Sequence, residues 1–163
     1  MCSEHRCAIY TRRTMQVMDH VVLHVIFSTK NQRPTLMDDL RSEAFARMSE
    51  EIGTTENILI AIGGTADHVH VAVYLSRKMT VAKLVDRLKT AATRWIIRQG
   101  AKHEGFRWQK GFSVFSVSPA DRNALAQYIH TQGILHCTRT FQQEMRAMYA
   151  KYDAGFDDRF VWK

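Results

Sequence analysis

The first strong pattern along the chain is His20-Val-Val-Leu-His-Val-Ile-Phe-Ser28, a β-branched and aromatic run that predicts a buried strand. From Met37 to Ile52 the apolar positions change period. Leu40, Ala44, Phe45, Met48 and Ile52 recur at helical spacing, and Asp38 and Asp39 suit the first turn of such a helix. Asn57 to Ile62 and His68 to Leu75 read as two further strands, joined through Gly63-Gly64 and Thr65-Ala66-Asp67 as a hairpin. Thr80 is placed to cap a second helix, whose core stripe is Val81, Leu84, Val85, Leu88, Ala92, Trp95 and Ile96. Phe106 to Val117 predicts a fourth strand, interrupted by Gly111. Pro119 then opens a helix running to about Leu135, and Phe141 to Tyr152 forms the last.

The order strand, helix, strand, strand, helix, strand, followed by two helices, predicts an α+β fold. It is the ferredoxin-like βαββαβ arrangement: an antiparallel sheet with helices on one face, plus the C-terminal helices. The other face of the sheet is expected to stay free for a site or a partner. Residues 18–163 are read as one domain and residues 1–17 as a flexible extension, with Met15 and Met18 as further candidate starts.

Composition narrows the class of partner. The chain has 163 residues, 23 Lys and Arg against 16 Asp and Glu, a formal charge of +7 and two prolines. Such a surplus favours a polyanionic partner, although many basic proteins are basic for solubility alone. The cysteines are Cys2, Cys7 and Cys137, an odd count with no disulfide framework, which fits a reducing, cytoplasmic setting. No apolar run approaches the roughly 20 residues of a membrane helix. On the second helix Lys83, Arg87, Arg94 and Arg98 form a basic stripe, either a solvated face or a track for a phosphate backbone. Phe106, Trp108 and Phe112 suit base stacking or core packing equally.

Chemistry enters with His68 and His70. One residue apart in a strand, they project to the same face while Val69, Val71 and Val73 project to the other. Two adjacent imidazoles are half a metal site. The helix after Pro119 carries Tyr128, Gln132 and His136 at successive steps of four, hence on one helical face. Taken alone, a Tyr-x-x-x-Gln pair more often marks a partly buried aromatic and a solvated amide.

These residues stand in a longer series: Phe27-Ser-Thr-Lys-Asn-Gln-Arg-Pro34, Asp67-His-Val-His70, Leu88-Lys-Thr-Ala-Ala-Thr-Arg-Trp95, Trp108-Gln-Lys-Gly111, Phe115-Ser-Val-Ser118, Tyr128-Ile-His-Thr-Gln132, Arg139-Thr-Phe-Gln142 and Asp158-Arg-Phe-Val-Trp162. Over residues 18–162 the series resembles the HUH-type single-tyrosine transposases of the IS200/IS605 insertion-sequence group. The resemblance implies that Tyr128 is a nucleophile and that His68, His70 and Gln132 hold a divalent ion, Mg²⁺ or Mn²⁺. It further implies cleavage of single-stranded DNA through a 5′-phosphotyrosine intermediate, rejoining of insertion-sequence ends, hairpin-bearing substrates and a homodimer. Thr131 and Leu135 depart from the family's usual Asn and His, leaving the part of His136 in holding DNA open. Two alternatives remain at this point: a domesticated relative that processes repeated hairpins, and a non-catalytic module that binds single-stranded nucleic acid.

Overall fold

A computed structural model describes residues 20–155. The expected extension over residues 1–17 and the closing block Asp158–Trp162 lie outside the described residues. The element order is β1 (Val22–Ser28), α1 (Asp38–Gly53), β2 (Ile58–Gly64), β3 (His68–Tyr74), α2 (Val81–Ile97), β4 (Ser113–Val117), α3 (Arg122–His130), α4 (Gln132–Leu135) and α5 (Phe141–Lys151). The four strands lie in the order β2-β3-β1-β4, every pair antiparallel. This is the expected α+β arrangement.

Alternation along the two central strands sorts their side chains. Leu23, Val25 and Phe27 of β1 and Val69, Val71 and Val73 of β3 meet the stripes of α1 (Leu40, Ala44, Met48, Ile52) and α2 (Leu84, Val85, Leu88, Ala92, Ile96) in the main core. Thr80 accepts a hydrogen bond from the Lys83 amide and caps α2 as its sequence position suggests. The opposite face carries His24, Ile26 and Ser28 of β1 and His68, His70 and Ala72 of β3.

That second face is not free. Phe141 and Met145 of α5 pack on Ile26 and Phe115, while Leu125 and Ile129 of α3 pack on Ala61 and Ala72. The sheet is therefore a middle layer, with α1 and α2 on one side and the C-terminal helices on the other. Burial on both sides explains why β1 reads as an almost unbroken apolar run, every residue of it buried.

Two elements differ from expectation. The fourth strand begins only at Ser113, because Phe106 and Trp108 turn into the main core. Trp108 Nε1 donates to the Lys89 carbonyl at 3.0 Å, and Lys89 Nζ holds the carbonyls of Gln109 and Gly111. Trp108 keeps an isolated bridge to Thr29. Phe106 and Trp108 are thus packing residues. The helix after Pro119 is also divided, into a 3-10 turn at Pro119–Asp121, then α3 and α4. At the break, the Thr131 hydroxyl donates to the carbonyls of Gln127 and Tyr128, a local competitor of the helical ladder.

Candidate metal and nucleophile site

His68 and His70 are both fully buried between the sheet and α5. In each ring Nδ1 is taken by a neighbour. His68 Nδ1 lies 2.6 Å from Asp67 Oδ1 and 3.0 Å from Thr65 Oγ1, and His70 Nδ1 lies 2.8 Å from His24 Nε2. Thr65 also donates to Asp67 at 2.7 Å, so the hairpin turn fixes the His68 ring from one side. Phe141 stacks on the same ring, with centroids 4.3 Å apart. The turn itself demands Gly64, at φ +151°, where a Cβ would lie 2.2 Å from the His68 carbonyl oxygen.

With both Nδ1 atoms occupied, the two Nε2 atoms are left to face inward. Both look toward Glu144 of α5, at 3.6 Å for His68 and 3.5 Å for His70. His68 Nε2 is also 3.3 Å from Gln132 Oε1. His70 Nε2 is buried and has no hydrogen-bond partner among the described residues. For it to present a lone pair, His70 must carry its hydrogen on Nδ1 and donate to His24, the arrangement that aims a ligating imidazole.

Glu144, only 2% exposed, is the junction of the site. Its Oε1 accepts from the Tyr128 hydroxyl and from Gln132 Nε2 at 3.0 Å, and its Oε2 lies 3.0 Å from His136 Nε2. Tyr128, Gln132 and His136 therefore share a face despite the break at Thr131, and that face meets β3 within one chain. The capping box at Thr140 and Gln143, beside Glu144, fixes the start of α5.

Electrostatics follow from this crowding. Burial pushes His70 down to about 4, against the pull of Glu144. His24 is likewise held well below the ordinary histidine value by burial and by His70. Burial alone would raise the Glu144 carboxyl, but its contacts with His70, Tyr128 and His68 outweigh that and keep it ionised well below the usual range. Burial and then Glu144 raise the Tyr128 phenol, so it is protonated at neutral pH.

The donors fit a divalent cation. One nitrogen each from His68 and His70 and one oxygen from Glu144 lie within 4.8 Å of one another, Gln132 Oε1 stands beside them, and the His70 nitrogen is otherwise unsatisfied.

A family-wide sequence pattern described as "Transposase IS200 like" matches residues 17–132. The chain belongs to the IS200-like transposases. A solved structure described as a transposase from Deinococcus radiodurans R1 is similar to this transposase at 21% identity and a TM-score of 0.58, covering 75% of this chain and 98% of that one. A REP-associated tyrosine transposase bound to a REP hairpin is similar at 14% identity and a TM-score of 0.56, covering 78% of this chain and 74% of that one. At such identities the likeness concerns the fold. No curated protein matches.

Of the residues singled out in the sequence, His68, His70, Gln132, Tyr128 and His136 come together. The stripe on α2 does not join them. Lys83, Arg87, Arg94 and Arg98 belong to a helix packed on the opposite face of the sheet, and Arg87 is engaged by Glu51 and, at 2.9 Å, by Thr54. Two residues of this transposase's site went unnoticed in the sequence. His24 carried a readable signal, a histidine in an apolar strand at a position alternating with Leu23 and Val25. Glu144 carried a weaker one, lying three residues after Phe141 and next to Met145 on the buried side of α5.

Proposed function

We propose that this transposase cuts and rejoins single-stranded DNA by attack of Tyr128 Oη on a phosphodiester. The observation that carries the reading is the meeting, within one chain, of the Tyr128 hydroxyl with Glu144, against Gln132, His68 and His70. His68, His70 and Glu144, with Gln132 Oε1 beside them, would hold Mg²⁺ or Mn²⁺, the second matching the two imidazoles better. A divalent ion there would offset the charge on the non-bridging oxygens of the scissile phosphate and fix it in line.

The residues of the chain supply the rest. Attack by Tyr128 forms an O–P bond to the 5′ side and breaks the bond to the 3′ oxygen. The products are a 5′-phosphotyrosine and a 3′ oxygen that takes up the proton given up by the phenol, becoming a free 3′-OH. The ester keeps the bond energy, so a 3′-OH attacking in reverse joins a new strand and restores the phenol. Buried and hydrogen-bonded to Glu144, Tyr128 rests as a neutral phenol. A cation beside Oη or bound by Glu144 is what would loosen its proton. Gln132 is the positioning amide, spanning Glu144 through Nε2 and facing His68 through Oε1.

All reacting groups in this reading come from one chain, so a homodimer is compatible with it but not required by it. The likeness to a tyrosine transposase bound to a REP hairpin supports hairpin-bearing single-stranded DNA as the partner. The test is incubation with single-stranded oligonucleotides drawn from hairpin-bearing DNA flanking the gene, with Mn²⁺. A denaturation-resistant adduct that disappears in Tyr128→Phe is expected. An adduct that survives Tyr128→Phe would overturn the assignment, as would binding unaltered by loss of His68, His70 and Tyr128 with no adduct at all.

A further inference from the structure

On the outer side of Tyr128 a cleft of about 570 Å³ opens between β4, α3 and α5, within the size range of small-ligand sites. Tyr128, Glu144 and His24 line its inner end, so a group seated in it abuts the proposed nucleophile. One side is apolar, formed by Val117, Leu125, Met148 and Tyr152. Tyr152 is held as a firm wall by stacking on Phe115, with centroids 4.6 Å apart. The rim is polar. Arg139 and Lys151 supply cations, and Ser116, Ser118 and Asp121 supply hydroxyl and carboxylate oxygens. Lys151 Nζ is steadied 5.6 Å over the Tyr152 ring.

Those features match one chemical class. A nucleotide is a flat, largely apolar base with polar edges, joined to an anionic phosphate. The apolar side suits the base faces, the rim oxygens suit exocyclic amino groups, and the cations suit the phosphate.

We infer that this cleft seats the nucleotide adjoining the phosphate attacked by Tyr128, with the base on the Leu125–Met148 side and its phosphate toward Arg139 and Lys151. The inference rests on the proposed strand-transfer reading and adds the place where the strand lies, on the face of the sheet opposite the α2 stripe.

The test is NMR of the full chain labelled at its methionine methyls, titrated with the four deoxynucleoside monophosphates. The controls are deoxynucleosides and inorganic phosphate. The Met148 methyl should shift saturably, Met48 in the α1–α2 core should not, and a short oligothymidylate should displace the mononucleotide. Arg139→Gln and Lys151→Gln should each weaken nucleotide binding by about fivefold to tenfold while leaving the nucleosides unaffected. Asp121→Asn should alter the order of preference among bases. A Met148 methyl that does not move, or moves equally with inorganic phosphate, overturns the inference. Ala124→Trp, at an exposed position lining the cleft, should cut the rate of adduct formation at limiting DNA while leaving Mn²⁺ affinity unchanged. If it forms adduct at the parent rate, the cleft assignment falls while the Tyr128 chemistry stands. If the Met148 shift appears and the parent forms no adduct, the reverse holds.

Discussion

Replacing Gly63 by alanine would move the proposed nucleophile, Tyr128, without touching it. Gly63 of β2 pairs with His70 of β3, so a side chain there points to the face that carries the site. Its Cβ would stand 2.6 Å from the Ile129 carbonyl oxygen and 2.9 Å from Ile129 Cγ2. Ordinary non-bonded carbon contacts begin near 3.5 Å, so α3 must retreat by roughly 0.6–0.9 Å at the residue following Tyr128. Overpacking of this kind costs about 1–3 kcal/mol, which at this chain length lowers the melting temperature by about 2–12 °C. The effect on rate should exceed the effect on stability. A displacement of about 1 Å in a reacting group can cost on the order of a hundredfold, so a fall of tens-fold in single-turnover adduct formation is expected. Mn²⁺ affinity, read by electron paramagnetic resonance, should change far less, because His68, His70 and Glu144 come from β3 and α5. Gly53→Ala is the control, since its Cβ meets nothing within 4 Å. A Gly63→Ala protein that melts and reacts like the parent would refute the claim that this contact sets the position of α3.

Three further outcomes follow from the same geometry. His24→Asn withdraws the nitrogen that holds His70 Nδ1 and should weaken Mn²⁺ binding about 10- to 100-fold with the fold retained by circular dichroism; unchanged affinity would remove His24 from the site. Added Mn²⁺ should raise the melting temperature and a chelator should reverse this, with the shift kept in Tyr128→Phe and diminished in Glu144→Gln; an undiminished shift in Glu144→Gln would exclude that carboxylate as a ligand. Acid should destabilise the metal-free protein through His70. Its folded value of about 4 lies below the ordinary 6.5, so the unfolded chain binds more protons in between and stability falls as pH drops from 6.5 to about 4. Glu144, held below 4.5, adds a loss of the same sign at lower pH. Denaturant midpoints that stay flat from pH 7 to 4 would contradict the burial of these groups.

How much of this was readable from the residues depends on range. The strands announced themselves through β-branched runs, and the pairing of His68 with His70 followed from a period of two, which local backbone geometry imposes whatever packs above. α2 was legible because its stripe and its Thr80 cap are both local. The burial of the second sheet face was not, since it depends on where a later part of the chain returns. β1 held the hint: His24, Ile26 and Ser28 interleave with Leu23, Val25 and Phe27 in a run with too little polarity for a solvated face. The place of the basic stripe on α2 was hidden for the same reason. Helical periodicity shows that four cations share a side, but not which face of the sheet that helix covers.

Glu144 marks where reading by pattern stops and accounting of charge begins. Glutamate is rarely buried without a partner, so in sequence it reads as the solvated edge of α5. In the structure its polar neighbours are a phenol, an amide and three imidazoles. Of these, His70 and the Tyr128 phenol are neutral near pH 7. Neutral donors can satisfy the oxygens of a carboxylate, but they do not cancel its charge, and removing an ionised group from water costs several kcal/mol unless opposite charge accompanies it. Beside that charge stands a buried His70 nitrogen with no hydrogen-bond partner among the described residues. A site that concentrates negative charge and an idle donor in the same few ångströms is most stable with a cation between them. A cation held there would also stand next to Tyr128, where the proposed attack of a neutral phenol on a phosphate would need it.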